Sequence, residues 1–340
     1  MTISGNVLVT GGAGFIGSHL VDHLLAQGLH VTVLDNFRNG RRENLPCPVP
    51  RGLEVIEGDI VDRPTCDRAM SEVDTVFHLA CLGVRHSLHS PVENHQVNAL
   101  GSLNVLEAAR DVGVRRFVYV STSEIYGRAR DFPITEQCTP WPLTVYGSSK
   151  LAGEHYARSY FECYGLPVVC VRPFNNYGPR SHFEGDSGEV IPRFILRALA
   201  GQPPVIFGDG SHTRDFLYVT DCAAALARIA SADSLVGDVV NLGYGEETRI
   251  DTLARALLEA TGRTDLKPVF DAPRPADVPK LWVDTAKLKT AIGFHPSVSL
   301  REGIGRTLEY FSTLYRDNPG ALDQIRTKNW EGMTEGVHGG

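Results

Sequence analysis

An apolar run, Val7-Leu8-Val9-Thr10, breaks into spaced glycines at Gly11, Gly14 and Gly17 and then resumes with helical periodicity through Phe15, Ile16 and Leu20. That order predicts a strand, a tight turn and a helix. Missing side chains let the turn bend, let a phosphate approach the backbone and let the helix lie close on the strand. The helix N-terminus then offers unpaired N–H groups and the positive end of its dipole to a pyrophosphate, with no basic side chain required. The next strand, His30-Val31-Thr32-Val33-Leu34-Asp35, ends in a carboxylate about 20 residues further on, where the ribose of a dinucleotide would be met. Asp35 offers acceptors to a free ribose diol and repels a 2′-phosphate, so NAD is expected over NADP. The polar loop from Asn36 borders the adenosine end, and its arginines, Arg38, Arg41 and Arg42, are the groups able to hold a 2′-phosphate instead.

The formal charge of −7 and the lack of a long Lys/Arg block argue against nucleic acid or an anionic membrane surface as the main partner. No apolar run approaches membrane-spanning length. With the first strand starting near the N-terminus, no targeting segment is expected. Seven scattered cysteines without a Cys-x-x-Cys pair suggest neither a disulfide framework nor a metal site, and a cytoplasmic location is expected.

Strands are expected at 53–60 and 74–80, alternating with helices, which implies right-handed crossovers and a parallel sheet. Ligands of such sheets sit at the carboxyl ends of the strands. Asp59 and Ile60 then fall on the adenine side, and Leu79 and Ala80 beside the pyrophosphate and ribose. Residues 91–112 have the periodicity of one helix with a broad apolar face. A buried strand over 117–123 delivers Ser121, Thr122 and Ser123, followed by Glu124. Tyr146-Gly147-Ser148-Ser149-Lys150 opens another long helix and sets Tyr146 and Lys150 on one face. An ammonium near a phenol favours phenolate and moves its pKa toward the range of a general base. Such pairs are commonly solvent-facing, but here a dinucleotide turn and a hydroxyl-rich strand end precede it. Further helices are expected at 250–258 and at 300–315, the latter capped by Ser299. From Arg316 the periodicity fades, and the last ten residues read as a flexible tail.

Thr-Gly-Gly-Ala-Gly-Phe-Ile-Gly at 10–17, Gly-Asp-Ile at 58–60, His-Leu-Ala at 78–80, Ser-Thr-Ser-Glu-Ile-Tyr-Gly at 121–127 and Tyr-Gly-Ser-Ser-Lys at 146–150 together resemble the extended short-chain dehydrogenase/reductases that act on nucleotide sugars. The likeness continues through Arg172-Pro173-Phe174-Asn175, Gly208-Asp209-Gly210, Thr213-Arg214-Asp215-Phe216 and Arg274-Pro275-Ala276-Asp277. It implies an α/β fold: a Rossmann-type doubly wound parallel sheet with a smaller α/β C-terminal substrate lobe. Residues 1–175 would bind NAD, with chain returns near 215–242. Residues 176–315 would form the interleaved lobe, and 316–340 a tail. Asn98, Ser121 and Pro173 join the cofactor contacts by the same resemblance, as do Tyr146 and Lys150. Tyr146 would act as base on a sugar hydroxyl, Lys150 would hold the nicotinamide ribose, and Thr122 would complete the relay. Asn175, Arg214 and Arg274 would face the substrate pyrophosphate, and Asp277 would join the substrate contacts. Val190-Ile191-Pro192, Val205-Ile206-Phe207 and Tyr218 would wall the base and ribose. The family also implies a homodimer, paired through helices 98–112 and 146–163 as a four-helix bundle.

Oxidation at sugar C4 gives a 4-ketone, from which epimerisation, dehydration or decarboxylation can follow. Family dehydratases often carry Asp-Glu where this chain has Ser123-Glu124, so their usual acid is missing. The surroundings of Tyr146 look more like epimerases. Arg85 sits in a loop that resembles one in epimerases of UDP-glucuronate, where it would attract a carboxylate. The expected function is NAD-dependent 4-epimerisation of a UDP-linked sugar. The alternatives are a nucleotide-sugar decarboxylase or dehydratase, or an NAD-binding sensor without turnover, against which Thr122, Tyr146 and Lys150 speak.

Overall fold

The computed structural model describes residue 3 and residues 5–330; the tail expected for the last ten residues lies outside them. Six strands, β1 (Asn6–Thr10), β2 (His30–Asp35), β3 (Leu53–Glu57), β4 (Thr75–His78), β5 (Arg116–Val120) and β6 (Val168–Pro173), are joined by Val239–Leu242 in one seven-stranded sheet. The order is Val239–Leu242, β6, β5, β4, β1, β2, β3, and every pairing is parallel. The chain winds outward from β1 to β3 and then crosses back to β4. This reversal opens a crevice at the carboxyl ends of β1 and β4. Alternate residues of β1 serve opposite layers. Val7 and Val9 pack with Leu20, Val21 and Leu24 of α1 (Phe15–Ala26), whereas Leu8 packs with Leu106 and Val76 on the other face.

The strands expected to reach Ile60, Ala80 and Ser123 stop short of those residues. The chain leaves the sheet because its next donors find Thr10: Leu79 donates to the Thr10 carbonyl at 3.1 Å and Ala80 to its hydroxyl at 3.3 Å. Residues 91–112 are helical but not uniform. A wide π-helical stretch, Gln96–Gly101, separates Pro91–His95 from Ser102–Val112. Through it Asn98 accepts from Leu82 N at 2.8 Å and donates to Leu82 O at 2.9 Å, while Asn94 donates to Gly83 O at 3.1 Å. The loop after β4 is thereby clamped by two buried amides.

The smaller lobe is built from two-strand pairs, Asn175–Tyr177 with Phe216–Tyr218 and Val205–Phe207 with Val269–Asp271, and from the helices Val190–Leu199, Ile250–Ala260 and Leu300–Asp317. The last begins where Ser299 Oγ accepts from Glu302 N. Between lobe segments the chain returns to the sheet, the helix Val219–Ala230 packing on α1 before the edge strand Val239–Leu242. The segment from Arg316, expected as a tail, is packed as far as Trp330. Pro319–Gln324 forms a short 3-10 turn, Ala321 is fully buried, and Asn329 donates to Gly188 O at 3.0 Å. A short turn without helical period hides such packing from a periodicity reading.

A Cβ on Gly17 would stand 2.1 Å from the carbonyl oxygen of Gly11, so α1 lies on the turn only because that side chain is absent. Gly17→Ala is expected to cost about 1–3 kcal/mol of stability, the usual penalty of an overpacked contact, read as a lowered Tm. Gly83→Ala, whose Cβ meets nothing within 4 Å, should leave Tm almost unchanged.

Candidate active site

A single cavity of about 500 Å³ runs from the crevice into the smaller lobe. Its wall brings together Gly11, Gly14, Phe15, Ile16 and Gly17 from the first turn, and Asp35, Asn36, Asp59 and Ile60 from the ends of β2 and β3. Leu79, Ala80, Ser121 and Pro173 adjoin them. Beyond lie Thr122, Ser123, Glu124, Tyr146 and Lys150, and then Arg85, Asn175, Val190, Phe207, Arg214, Arg274 and Asp277. Three expected members are not on the wall. Asn98 is fully buried and spends its amide on Leu82, so it shapes the cavity from behind. Tyr218 is turned into the lobe core, its ring 5.4 Å from that of Tyr177. Pro192 likewise stands off the wall, in the buried face of its helix.

At the first turn Gly11 carries φ +71°, and a Cβ there would lie 2.8 Å from Ala80 N. Gly14 precedes α1 in extended conformation, and no side chain caps the helix. An anion therefore has access to the first-turn N–H groups. Asp35 is nearly buried and accepts from Ala13 N at 2.9 Å and Phe37 N at 2.8 Å. Burial pushes its carboxyl up, and those two donors oppose the shift. Asn36 Nδ2 reaches Asp59 at 2.8 Å and braces the adenosine side. Each nearby arginine already has a carboxylate: Arg38 pairs with Glu93, Arg41 with Glu184 and Arg42 with Glu57. A glycine cradle, a buried acceptor and committed arginines fit NAD.

β5 ends at Val120, and the next three residues bring their hydroxyls to the wall. Thr122 Oγ1 accepts from Glu124 N at 3.2 Å, which folds the chain into the turn Ser123–Ile125. Thr144 caps the helix Val145–Tyr164 through Gly147 N at 3.1 Å, placing Tyr146 in its first turn and Lys150 one turn on. Tyr119 donates to Lys150 O at 3.0 Å, and the Lys150 ammonium sits 4.6 Å from the centre of the Tyr119 ring. The net shift of the Tyr146 phenol is upward, opposite in direction to the lowering an ammonium would bring. Burial pushes Tyr146 well above its ordinary value, Cys81 and Glu124 add to this, and its hydrogen bond with Thr122 opposes it. Desolvating a phenolate decides the direction, and burial pulls the Lys150 ammonium down as well.

Among the described residues nine buried side-chain polar atoms have no hydrogen-bond partner, and seven of them belong to residues of this cavity wall: Arg85, His86, Ser121, Asn175, Asn176, Arg193 and Arg274. Native interiors tolerate few such groups, so their concentration marks where a polar ligand belongs. The charge is largely cationic. Burial and then Arg274 bring Arg85 down to about 10, and burial and then Arg85 bring Arg193 down to about 9. Arg214 donates to Asp277 at 2.7 Å, and Arg274 lies 3.3 Å from the same carboxylate. Burial raises the carboxyl of Asp277, but Arg274 and then Arg214 outweigh it and leave it low. Burial raises Glu124 against the pull of Arg214, and lifts Glu189 to about 7. Guanidinium forks in a partly dry pocket suit a diphosphate.

Fold and site thus define a dinucleotide-binding α/β protein with an anion pocket beside a Thr-Tyr-Lys cluster. The family model described as the NAD dependent epimerase/dehydratase family matches residues 7–243, and the chain belongs to that family. It is 39% identical over 308 residues to the UDP-glucose 4-epimerase of Mycolicibacterium smegmatis, covering 89% of this chain and 97% of that one. A crystal structure of UDP-glucose 4-epimerase with UDP-glucose from Thermotoga maritima superimposes with a TM-score of 0.86 at 38% identity, over 91% of this chain and 99% of that one. The UDP-N-acetyl-alpha-D-glucosaminuronate decarboxylase of Bacillus cytotoxicus is 36% identical over 326 residues, 91% and 98% of the two chains.

Arg193, Glu189, Cys81, Thr327 and Trp330 also line the cavity and were not foreseen. Arg193 and Glu189 carry a signal in retrospect, being charges at the start of an otherwise apolar helix segment; Thr327 and Trp330 carry none. The committed arginines yield a test of the adenosine end. Calorimetric titration should find NAD bound on the order of a hundredfold tighter than NADP, about 2.7 kcal/mol. Asp35→Ser should narrow that ratio by improving NADP, and an unchanged ratio would count against Asp35 as the discriminating group.

Proposed function

We propose that the protein is an NAD-dependent nucleotide-sugar 4-epimerase acting on a UDP-linked sugar through a transient 4-ketone. The observation that carries the reading is one cavity holding the glycine cradle, the Thr122, Tyr146 and Lys150 cluster and the guanidinium groups of Arg85, Arg193 and Arg274, whose Nε atoms are buried without a partner among the described residues. When bound, NAD supplies the acceptor, and later the donor, of the C4 hydride. Tyr146 as phenolate takes the proton of the 4-hydroxyl, and Thr122 shares that proton through its hydrogen bond to the phenol. Lys150, buried one helical turn beyond Tyr146, would hold the cofactor ribose. Arg193, Arg214 and Arg274 hold the diphosphate, and Phe207 with Val190 receives the base. Neutral Ser123 stands beside Glu124 where family dehydratases often carry the acid for loss of water from C6, which favours epimerisation over dehydration.

Incubating the protein with a panel of UDP-, dTDP- and GDP-sugars and separating the products by mass and NMR tests the assignment. An isomer of unchanged mass supports it, and loss of water or carbon dioxide overturns it in favour of a lyase. Arg85, whose buried Nε has no partner among the described residues, favours including sugars that bear a carboxylate.

Because burial holds the Tyr146 phenol protonated near neutrality, the free-enzyme base becomes available only as pH rises. The expected kcat/KM climbs toward tenfold per pH unit on the acid side. Tyr146→Phe should lose that slope together with about a hundred- to ten-thousandfold in turnover. Glu124→Gln should cost only about tenfold, the scale of one weakened polar contact. In heavy water the product C5 should stay unlabelled. A defect above a hundredfold together with deuterium at C5 would reassign Glu124 as a C5 base.

A C2 homodimer belongs to the same proposal. Leu100 and Val112 are exposed apolar side chains on the first of the two helical segments expected to pair, and exposed Val145 and Tyr164 begin and end the helix that carries the second. Light scattering at micromolar concentration should give twice the chain mass. All seven cysteines are free thiols, in keeping with a reducing compartment such as the cytoplasm.

A further inference from the structure

We infer that the C-terminal strap, residues 319–330, closes the nucleobase end of the cavity, and that Trp330 forms with Phe207 an aromatic corner that grips the base of a nucleoside diphosphate. The inference rests on the nucleotide-sugar reading and adds to it a specificity residue from a part of the chain outside the matched family region.

The two rings stand almost perpendicular, at 85°, with centres 4.6 Å apart, and both line the cavity while remaining partly exposed. Phe207 ends the strand Val205–Phe207, and the guanidinium of Arg274 lies 5.7 Å from its ring centre. A planar heteroaromatic base entering this corner meets one ring on its face and the other on its edge, the two arrangements aromatic groups prefer. Its sugar and phosphates then run toward the arginines.

The strap is built into place. Ala321 is buried in the lobe core, Gly185 N donates to Gln324 O at 3.0 Å, and Asn329, almost wholly buried, holds Gly188 O. Arg193 fixes the middle, its Nη2 donating to Arg326 O at 2.9 Å and Thr327 O at 2.8 Å. The Nε of the same guanidinium is buried without a partner on the cavity wall. One side chain thus ties the strap to the anion-binding end. Trp330 follows directly on the anchored Asn329, so its ring is presented from a fixed backbone.

The test compares the full-length protein with Trp330→Ala and Trp330→Phe in titrations with UDP, inorganic pyrophosphate and NAD. Trp330→Ala should weaken UDP by tenfold or more and change pyrophosphate and NAD by less than twofold. In turnover it should raise KM for the UDP-sugar far more than it lowers kcat. Trp330→Phe should recover most of the affinity. The chain holds three tryptophans, and the change in fluorescence that UDP causes in the wild-type protein should vanish in Trp330→Phe. UDP affinity in Trp330→Ala within twofold of wild type, or an undiminished fluorescence change in Trp330→Phe, overturns the strap proposal alone. A wild-type protein that binds NAD but none of UDP, dTDP and GDP overturns the nucleotide-sugar reading, and the strap proposal with it.

Discussion

The contact between Gly17 and the Gly11 carbonyl governs the rest of the molecule. At 2.1 Å from where a Cβ would stand, it brings α1 against the end of β1, so that an uncapped helix N-terminus faces the crevice. The turn also fixes its neighbours. Gly11 must accept the approach of Ala80 N, and Ala80 in turn hydrogen-bonds to Thr10. The loop that leaves β4 is then tied from behind by Asn94 and Asn98. A larger side chain at either glycine would separate the helix dipole from the place where a phosphate can use it.

The second constraint is electrostatic. Among the arginines that line the cavity, Arg85, Arg193, Arg214 and Arg274 gather toward the smaller lobe, and of these four Arg214 and Arg274 share a carboxylate, Asp277. Burial works against the charge of Arg85 and Arg193, lowering both below the ordinary arginine value. Leaving such groups without counter-charge destabilises the free protein. The same deficit becomes binding energy when a dianion enters, which explains why unpartnered polar atoms collect here instead of being scattered through the interior.

The sheet was legible because its signals are local. β1, β2 and the helix carrying Tyr146 and Lys150 announce themselves by period and by glycine spacing, and the observed cluster brings those residues to one wall. The lobe was less legible, since strands such as Thr213–Arg214 and Thr248–Arg249 are two residues long and pair across intervening chain. Asn98 and Tyr218 mark another limit. Both lie close to the site in sequence pattern, but which way each side chain turns is decided by the π-helical stretch in one case and by a ring contact with Tyr177 in the other. Neither determinant has a sequence period. Trp330 is further still from any motif, and what brings it to the cavity is hydrogen bonding by Arg193 and Asn329 to backbone carbonyls, which leaves no pattern in composition.

Epimerisation through a ketone imposes one more demand, because the hydride must return to the opposite face and the sugar ring must therefore turn within the site. A ligand held firmly along its whole length could not do this. On the proposed reading the strong attractions sit away from the sugar: guanidinium groups at the diphosphate and an aromatic corner at the base. On the same reading the groups beside the reacting carbon are mostly small and neutral, Thr122, Ser123 and Thr144 next to Glu124, with Tyr146 taking the proton that Thr122 shares. Anchoring the nucleotide while leaving the ring loosely held lets one bound ligand present both faces to the same hydride position. It also explains why binding residues far from the chemistry, Arg193 and Trp330 among them, matter to turnover: they supply the attachment that the sugar itself must not provide.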